Sequence, residues 1–186
     1  AIGIGVDFKD GDLALRGNFA TLDNEERIID RRAGRTIERD DAEKISKEIE
    51  NEIKFSNANT SVVVAPTIGH RIIVRLRDDK PLSSEITNTD PAYARVDGMG
   101  IAKAVSDFMR IEKCIPMEQT EDASNAAKLV NEFTEQSLEI MKKSDVNKQR
   151  SQKNKKLLNS ILLRDAGNKY PNVKPINELH AINFSC

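Results

Sequence analysis

Two runs rich in β-branched residues, SVVVAP (61–66) and HRIIVRL (70–76), stand either side of the tripeptide TIG. Val and Ile are stiff at χ1 and suit a pleated, half-buried surface. A link this short can only fold the chain back on itself, and Gly69 supplies the turn. The stretch is therefore a hairpin, and any fold must be built around an antiparallel pair. A second pair comes earlier. Leu13, Leu15 and Phe19 share one face at period two, with Ala14, Arg16, Asn18 and Ala20 opposite, which predicts a strand from about Asp12 to Leu22. DNEE turns the chain and RIID returns it.

Helical spacing appears twice. Ala42, Ile45, Ile49 and Ile53 form one stripe, opened by Asp40 and Asp41, with Asp40 and Glu43 resembling a capping box and the end near SNAN (56–59). Thr120, followed by Glu121 and Asp122, starts a longer helix. Its stripe is Ala123, Ala126, Ala127, Val130, Phe133 and Ser137, closed by Ile140 or Met141, and it ends near Lys143, where lysines suit the dipole. Residues 78–95 are turn-rich, with Pro81 and Pro91; residues 96–116 show no clean pattern; NKQRSQKNKK reads as a polar, basic loop; SILLR reads as one more strand, and the stretch from Gly167 to Pro175 as loop. No internal repeat and no Gly/Ser/Pro linker divides the chain. The reading is one α+β domain over 1–186, a mostly antiparallel sheet built from hairpins with two main helices packed on it.

Composition narrows the function. A net charge of −1 over 186 residues argues against a general nucleic-acid binder, and the absence of Trp leaves the core to Ile, Val, Leu and Ala. Cys114 and Cys186 make neither a disulfide framework nor a C-x-x-C pair, so a cytoplasmic location is expected. No apolar run approaches the ~20 residues that span a bilayer, so no membrane partner is expected. The chain opens on AIGIGVDF without Met and closes inside LHAINFSC, so a piece of a longer protein is expected.

DRRAGR (30–35) crowds Arg31, Arg32 and Arg35 around a glycine. Like charges so placed repel, and an anion among them would resolve the conflict, since each guanidinium is a planar fork for phosphate or carboxylate oxygens. The plainer reading is a solvated loop paired with Asp30 and nearby Glu residues. His70 and Arg71 follow a hairpin turn, where they could meet an anion or remain ordinary turn residues. Arg164 sits where a strand gives way to a loop, and could contact an anion or pair with Asp165. TNTDP (87–91) reads as an Asx turn. The basic run Lys148–Lys156 lacks interleaved aromatics and reads as a solvated loop rather than an RNA site. His180, between Leu179 and Ala181, reads as packing. Neither GxSxG nor GxxxxGK[ST] occurs, and two distant histidines cannot build a His-rich metal cluster. The chain looks equipped to hold an anion and poorly equipped to transform one.

Taken in order, GVDFKDGDLALRGNFATLD…IIDRRAGR, GHRIIVRL, ITNTDP, NEFTEQSLEI, DVNKQR and NSILLRDAG resemble the archaeal-type 2,3-bisphosphoglycerate-independent phosphoglycerate mutases of the alkaline phosphatase superfamily, over nearly the whole chain. The resemblance implies a two-domain enzyme that interconverts 3-phosphoglycerate and 2-phosphoglycerate through a phosphoserine. Its core would carry two divalent metal ions, Mn or Mg, and the serine nucleophile, and an inserted domain would cover that site. This chain looks like the insert with short flanks, because the core's metal ligands and serine have no counterpart here. The implied partners are the small-molecule substrate and the enzyme's own core. The implied substrate contacts are Arg31, Arg32, Arg35, His70, Arg71 and Arg164, with no catalytic or metal-binding residue on this chain. Two alternatives remain: the insert of a related phosphatase or phosphonate hydrolase, and a stand-alone module binding RNA or an acidic partner through Lys148–Lys156.

Overall fold

The computed structural model describes residues 1–96, 99–104, 109–170, 172, 174 and 176–180. In chain order the elements are β1 (Leu13–Leu22), β2 (Ile28–Asp30), α1 (Arg39–Glu52), β3 (Ser61–Pro66), β4 (Arg71–Arg77), β5 (Tyr93–Val96), β6 (Met99–Ala102), α2 (Glu121–Lys143), α3 (Asp145–Gln152), β7 (Ser160–Gly167) and α4 (Ile176–His180). The architecture is α+β with antiparallel sheets.

β1 is the spine. β4 pairs with it from Leu13↔Leu76 to Asn18↔Arg71, and β3 lies outside β4. β7 takes the other edge, from Ala14↔Gly167 to Ala20↔Ser160. β2 closes the first hairpin through Thr21↔Asp30. On an antiparallel strand, alternate residues bond to the same neighbour. Phe19 N–H donates to the His70 carbonyl and Asp23 N–H to the Arg27 carbonyl, whereas Leu22 is held by Asn159 on the β7 side. β4 and β2 therefore lie end to end along one edge of β1. That brings the GHR turn against the DRRAGR loop.

Direct partners point to the same face of a sheet. Leu13, Leu15, Gly17 and Phe19 face with Leu76, Val74, Ile72, Leu163 and Ile161. The apolar members join Ile45 and Ile49 of α1 and Ala126, Val130 and Phe133 of α2 in one buried cluster. Gly17 belongs there because a Cβ would stand 2.7 Å from Ile72 Cγ1. The opposite face carries Arg16, Asn18, Arg71, Arg75 and Arg164.

Several sequence readings need correction. The alternation expected along β1 lapses after Arg16, and every residue from Gly17 to Leu22 is buried. The strand is flanked on both edges there, and both faces are covered. The capping box does not form: α1 begins at Arg39 after Glu38, no side chain caps it, and Glu43 instead accepts from Arg39 Nε at 2.7 Å. The helix ends at Glu52, short of SNAN. The stretch 96–116 holds part of a small hairpin, β5–β6. NKQRSQKNKK is no solvated loop, because its first half is α3 and buries Asn147 and Arg150. His180 does not pack; it is exposed on the short α4. By contrast, α2 starts at Glu121 behind the expected Thr120 cap, whose side chain accepts from Ala123 N–H, and buries the expected stripe closed by Met141.

Candidate functional site

DRRAGR forms a tight left-handed turn. Asp30 directs one oxygen to Arg32 N–H at 2.8 Å and the other to Gly34 N–H at 3.0 Å. Ala33, Gly34 and Arg35 have φ of 44°, 70° and 55°, a run that costs a non-glycine residue roughly 1–2 kcal/mol. The turn splits the three arginines. Arg31 reaches inward, with Nη2 donating to both oxygens of Asp90 at 2.8 and 2.7 Å, and the Asp90 side chain is 0% exposed. Arg32 and Arg35 project to solvent.

His70, half-buried, lies where the turn meets the β3–β4 hairpin. Burial first, and then the charges of Arg32, Arg71 and Arg35, hold its pKa below the ordinary 6.5, with Asp30 opposing weakly. Its neutral form is favoured, since a proton there would meet three cations. Among the described residues no carboxylate forms an ion pair with Arg32, Arg35 or Arg71. Arginines 16, 27, 31, 39, 77, 95, 150 and 164 pair with carboxylates, and Arg75 and Arg110 donate to Ser61 Oγ and the Glu25 carbonyl, whereas Arg32, Arg35 and Arg71 have no side-chain partner among the described residues. Their donors are free for an external anion.

Arg164 belongs to a second group. Its guanidinium lies 3.9 Å from the centroid of the Tyr93 ring, and Arg31 lies 5.3 Å from the same ring. Arg164 also sits 3.9 Å from Asp165, which Arg16 approaches at 3.4 Å. So the six arginine and histidine positions singled out in the sequence fall into two sets: Arg32, Arg35, His70 and Arg71 together, and Arg31 with Arg164 around Tyr93 and Asp90. Sequence reasoning misses Asp90 and Tyr93. TNTDP does form an Asx turn, with Asp90 Oδ1 accepting from Ala92 N–H, yet nothing in the string shows that this carboxylate is buried against an arginine 59 positions away. Nor is the basic run a free cationic strip: Arg150 is 1% exposed, and Lys148 and Lys155 pair with Asp145 and Glu38.

Among the described residues no group of three or more His, Cys, Asp or Glu could hold a metal ion. Burial pushes the Cys114 thiol up to about 12, which leaves it without nucleophilic character near neutrality. No helix of the described residues is long and apolar enough to cross a membrane.

The fold and this cluster define an α+β domain that presents unpaired guanidinium groups at a sheet edge. The profile of one family, 2,3-bisphosphoglycerate-independent phosphoglycerate mutase, matches residues 1–147. The chain belongs to that family. A mutase of that name from Aeropyrum pernix is 38% identical over 178 residues, covering 94% of this chain and 41% of the relative. One from Methanosphaera stadtmanae is 34% identical over 186 residues, covering 100% of this chain and 41% of its own length. Among solved structures, the cofactor-independent phosphoglycerate mutase of Thermoplasma acidophilum aligns with TM-score 0.73 and 28% identity, over 91% of this chain and 40% of that one. The chain thus spans about two fifths of the length of the relatives it matches.

Proposed function

We propose that residues 1–186 form the substrate-gripping insert of a phosphoglycerate mutase that interconverts 3-phosphoglycerate and 2-phosphoglycerate through a phosphoserine. Arg32, Arg35 and Arg71 hold the phosphate and carboxylate of the substrate, and His70 stands among them as a neutral donor or acceptor. The second set, Arg31 and Arg164, fixes the loop and strand that present them, and Arg164, stacked on Tyr93, is a further substrate contact. The observation that carries this reading is that, among the described residues, no carboxylate forms an ion pair with Arg32, Arg35 or Arg71. A dianionic ligand relieves their mutual repulsion, and each charge-assisted bond contributes about 1.5–3 kcal/mol.

The task assigned to this chain is positional. A phosphoserine exposed to water would be hydrolysed, and the glycerate must stay bound while it turns to offer its other hydroxyl. A domain that closes over the site with fixed cationic forks does both. The serine and the two divalent ions implied by the family would belong to the enzyme's core domain. In the complete enzyme Arg32→Ala lowers kcat/KM for 3-phosphoglycerate at least about tenfold, equivalent to ~1.4 kcal/mol of lost transition-state binding. Steady-state kinetics check this, and unchanged constants would remove Arg32 from the site.

A further inference from the structure

Among the described residues Arg150 is the largest fully buried side chain, and it lies outside the proposed substrate contacts. Its guanidinium spends every nitrogen on the walls of the arginine turn. Nε donates to the Lys156 carbonyl at 2.8 Å, and Nη1 donates to Asp41 Oδ2 at 2.8 Å and to the Thr36 carbonyl at 3.3 Å. Nη2 donates to Thr36 Oγ1 at 3.3 Å. Thr36 is the residue after Arg35. Lys156 lies against the middle of the turn, since a Cβ on Gly34 would stand 3.0 Å from Lys156 Cγ and 3.4 Å from Thr36 Oγ1. Asp41 ties the same cation to the first turn of α1.

One buried charge therefore links the exit of the turn, the segment covering its glycine and the helix that follows. The turn needs such a hold. Ala33 and Arg35 both occupy the left-handed region, a conformation that persists only where its surroundings over-determine it. Released, the segment from Ala33 to Arg35 would relax toward ordinary φ and carry the Arg35 fork away from His70. A surface loop could hardly account for a guanidinium that is 1% exposed with all three nitrogens bonded. We infer that Arg150 is a positioning residue for substrate binding: it locks the left-handed turn so that Arg32 and Arg35 are aimed at a shared anion. This rests on the proposed role of those two arginines.

The test is a coupling experiment in the full-length enzyme. Arg150→Gln is made in the wild-type background and in one carrying both Arg32→Ala and Arg35→Ala, with kcat/KM for 3-phosphoglycerate and stability to urea measured in each. Alone, Arg150→Gln lowers kcat/KM about fivefold; in the double-arginine background it lowers it by less than about twofold, while the loss of stability is the same in both. An equal drop in kcat/KM in the two backgrounds would reduce Arg150 to a general stabiliser and overturn the inference, leaving the arginine grip intact. If the double-arginine variant matches the wild type, the grip itself fails and this inference goes with it. Should Arg150→Gln not fold, Thr36→Val, which removes only the Nη2 bond at an exposed position, is judged by the same comparison of backgrounds.

Discussion

At the scale of single residues, the site is a problem of uncompensated charge. Asp90 neutralises Arg31 at 2.7 Å, and Asp30 turns its oxygens to backbone N–H groups. That leaves Arg32, Arg35 and Arg71 around His70 with no ion-pair partner among the described residues and only the weak opposing charge of Asp30 nearby. Burial and these three cations lower the pKa of His70 relative to 6.5. The sign follows: the unfolded chain binds a proton at this position more readily than the folded one. The associated stability is fully present above the ordinary value and is lost as pH falls from 6.5 toward the depressed folded value. A bound dianion offsets the field of the three cations, so binding raises the His70 pKa. NMR titration of the His70 ring C–H should give a midpoint below 6.5 that moves upward when sulfate is added. A midpoint indifferent to sulfate would separate His70 from the anion. Asn18 and Arg71, direct partners on β1 and β4, anchor the Arg71 side of the cluster on the sheet.

At the scale of elements, the decisive arrangement is that β4 and β2 meet end to end along β1. Two segments 40 positions apart, Asp30 and His70, become neighbours because alternate N–H groups of one strand serve both. The helices provide the weight behind this edge. α2 was readable from its stripe and its cap, and both survive in the structure: Thr120 accepts from Ala123 N–H at 3.2 Å, and Ala123, Ala126, Val130, Phe133 and Met141 are buried. Thr120→Ala should therefore cost about 1 kcal/mol in urea unfolding with an unchanged m value, because one of the first N–H groups of a 23-residue helix loses its acceptor. α1 was readable in its stripe but not in its start. Asp40 and Asp41 suit the positive end of the dipole wherever in the first turn they fall, so the acidic pair could not fix the boundary. Asp41 serves Arg150 at 2.8 Å, and Glu43, the partner the capping box needed, accepts from Arg39 instead.

At the scale of the whole molecule, the chain matches its mutase relatives over about 41% of their length. On the proposed reading it holds the substrate and leaves the making and breaking of phosphoester bonds to the core domain. Residues 1–186 alone, given 3-phosphoglycerate and Mn²⁺, are then expected to yield no 2-phosphoglycerate in a coupled assay. Turnover by this chain would overturn its assignment as the insert.

Periodicity and turn chemistry in the sequence already determined the two hairpins, the antiparallel α+β class, the α2 stripe and the pool of candidate cations, since these depend on near neighbours along the chain. Only the tertiary structure decided which cations are spent and which are free. Arg31 is sequestered by Asp90, Arg150 is buried among Thr36, Asp41 and the Lys156 carbonyl, and Arg32, Arg35 and Arg71 pair with no carboxylate among the described residues. The reason is physical: an arginine looks the same in a string whether its fork meets a buried carboxylate or solvent. That choice is made by strand register and helix packing, which bring together residues 59 or 109 positions apart.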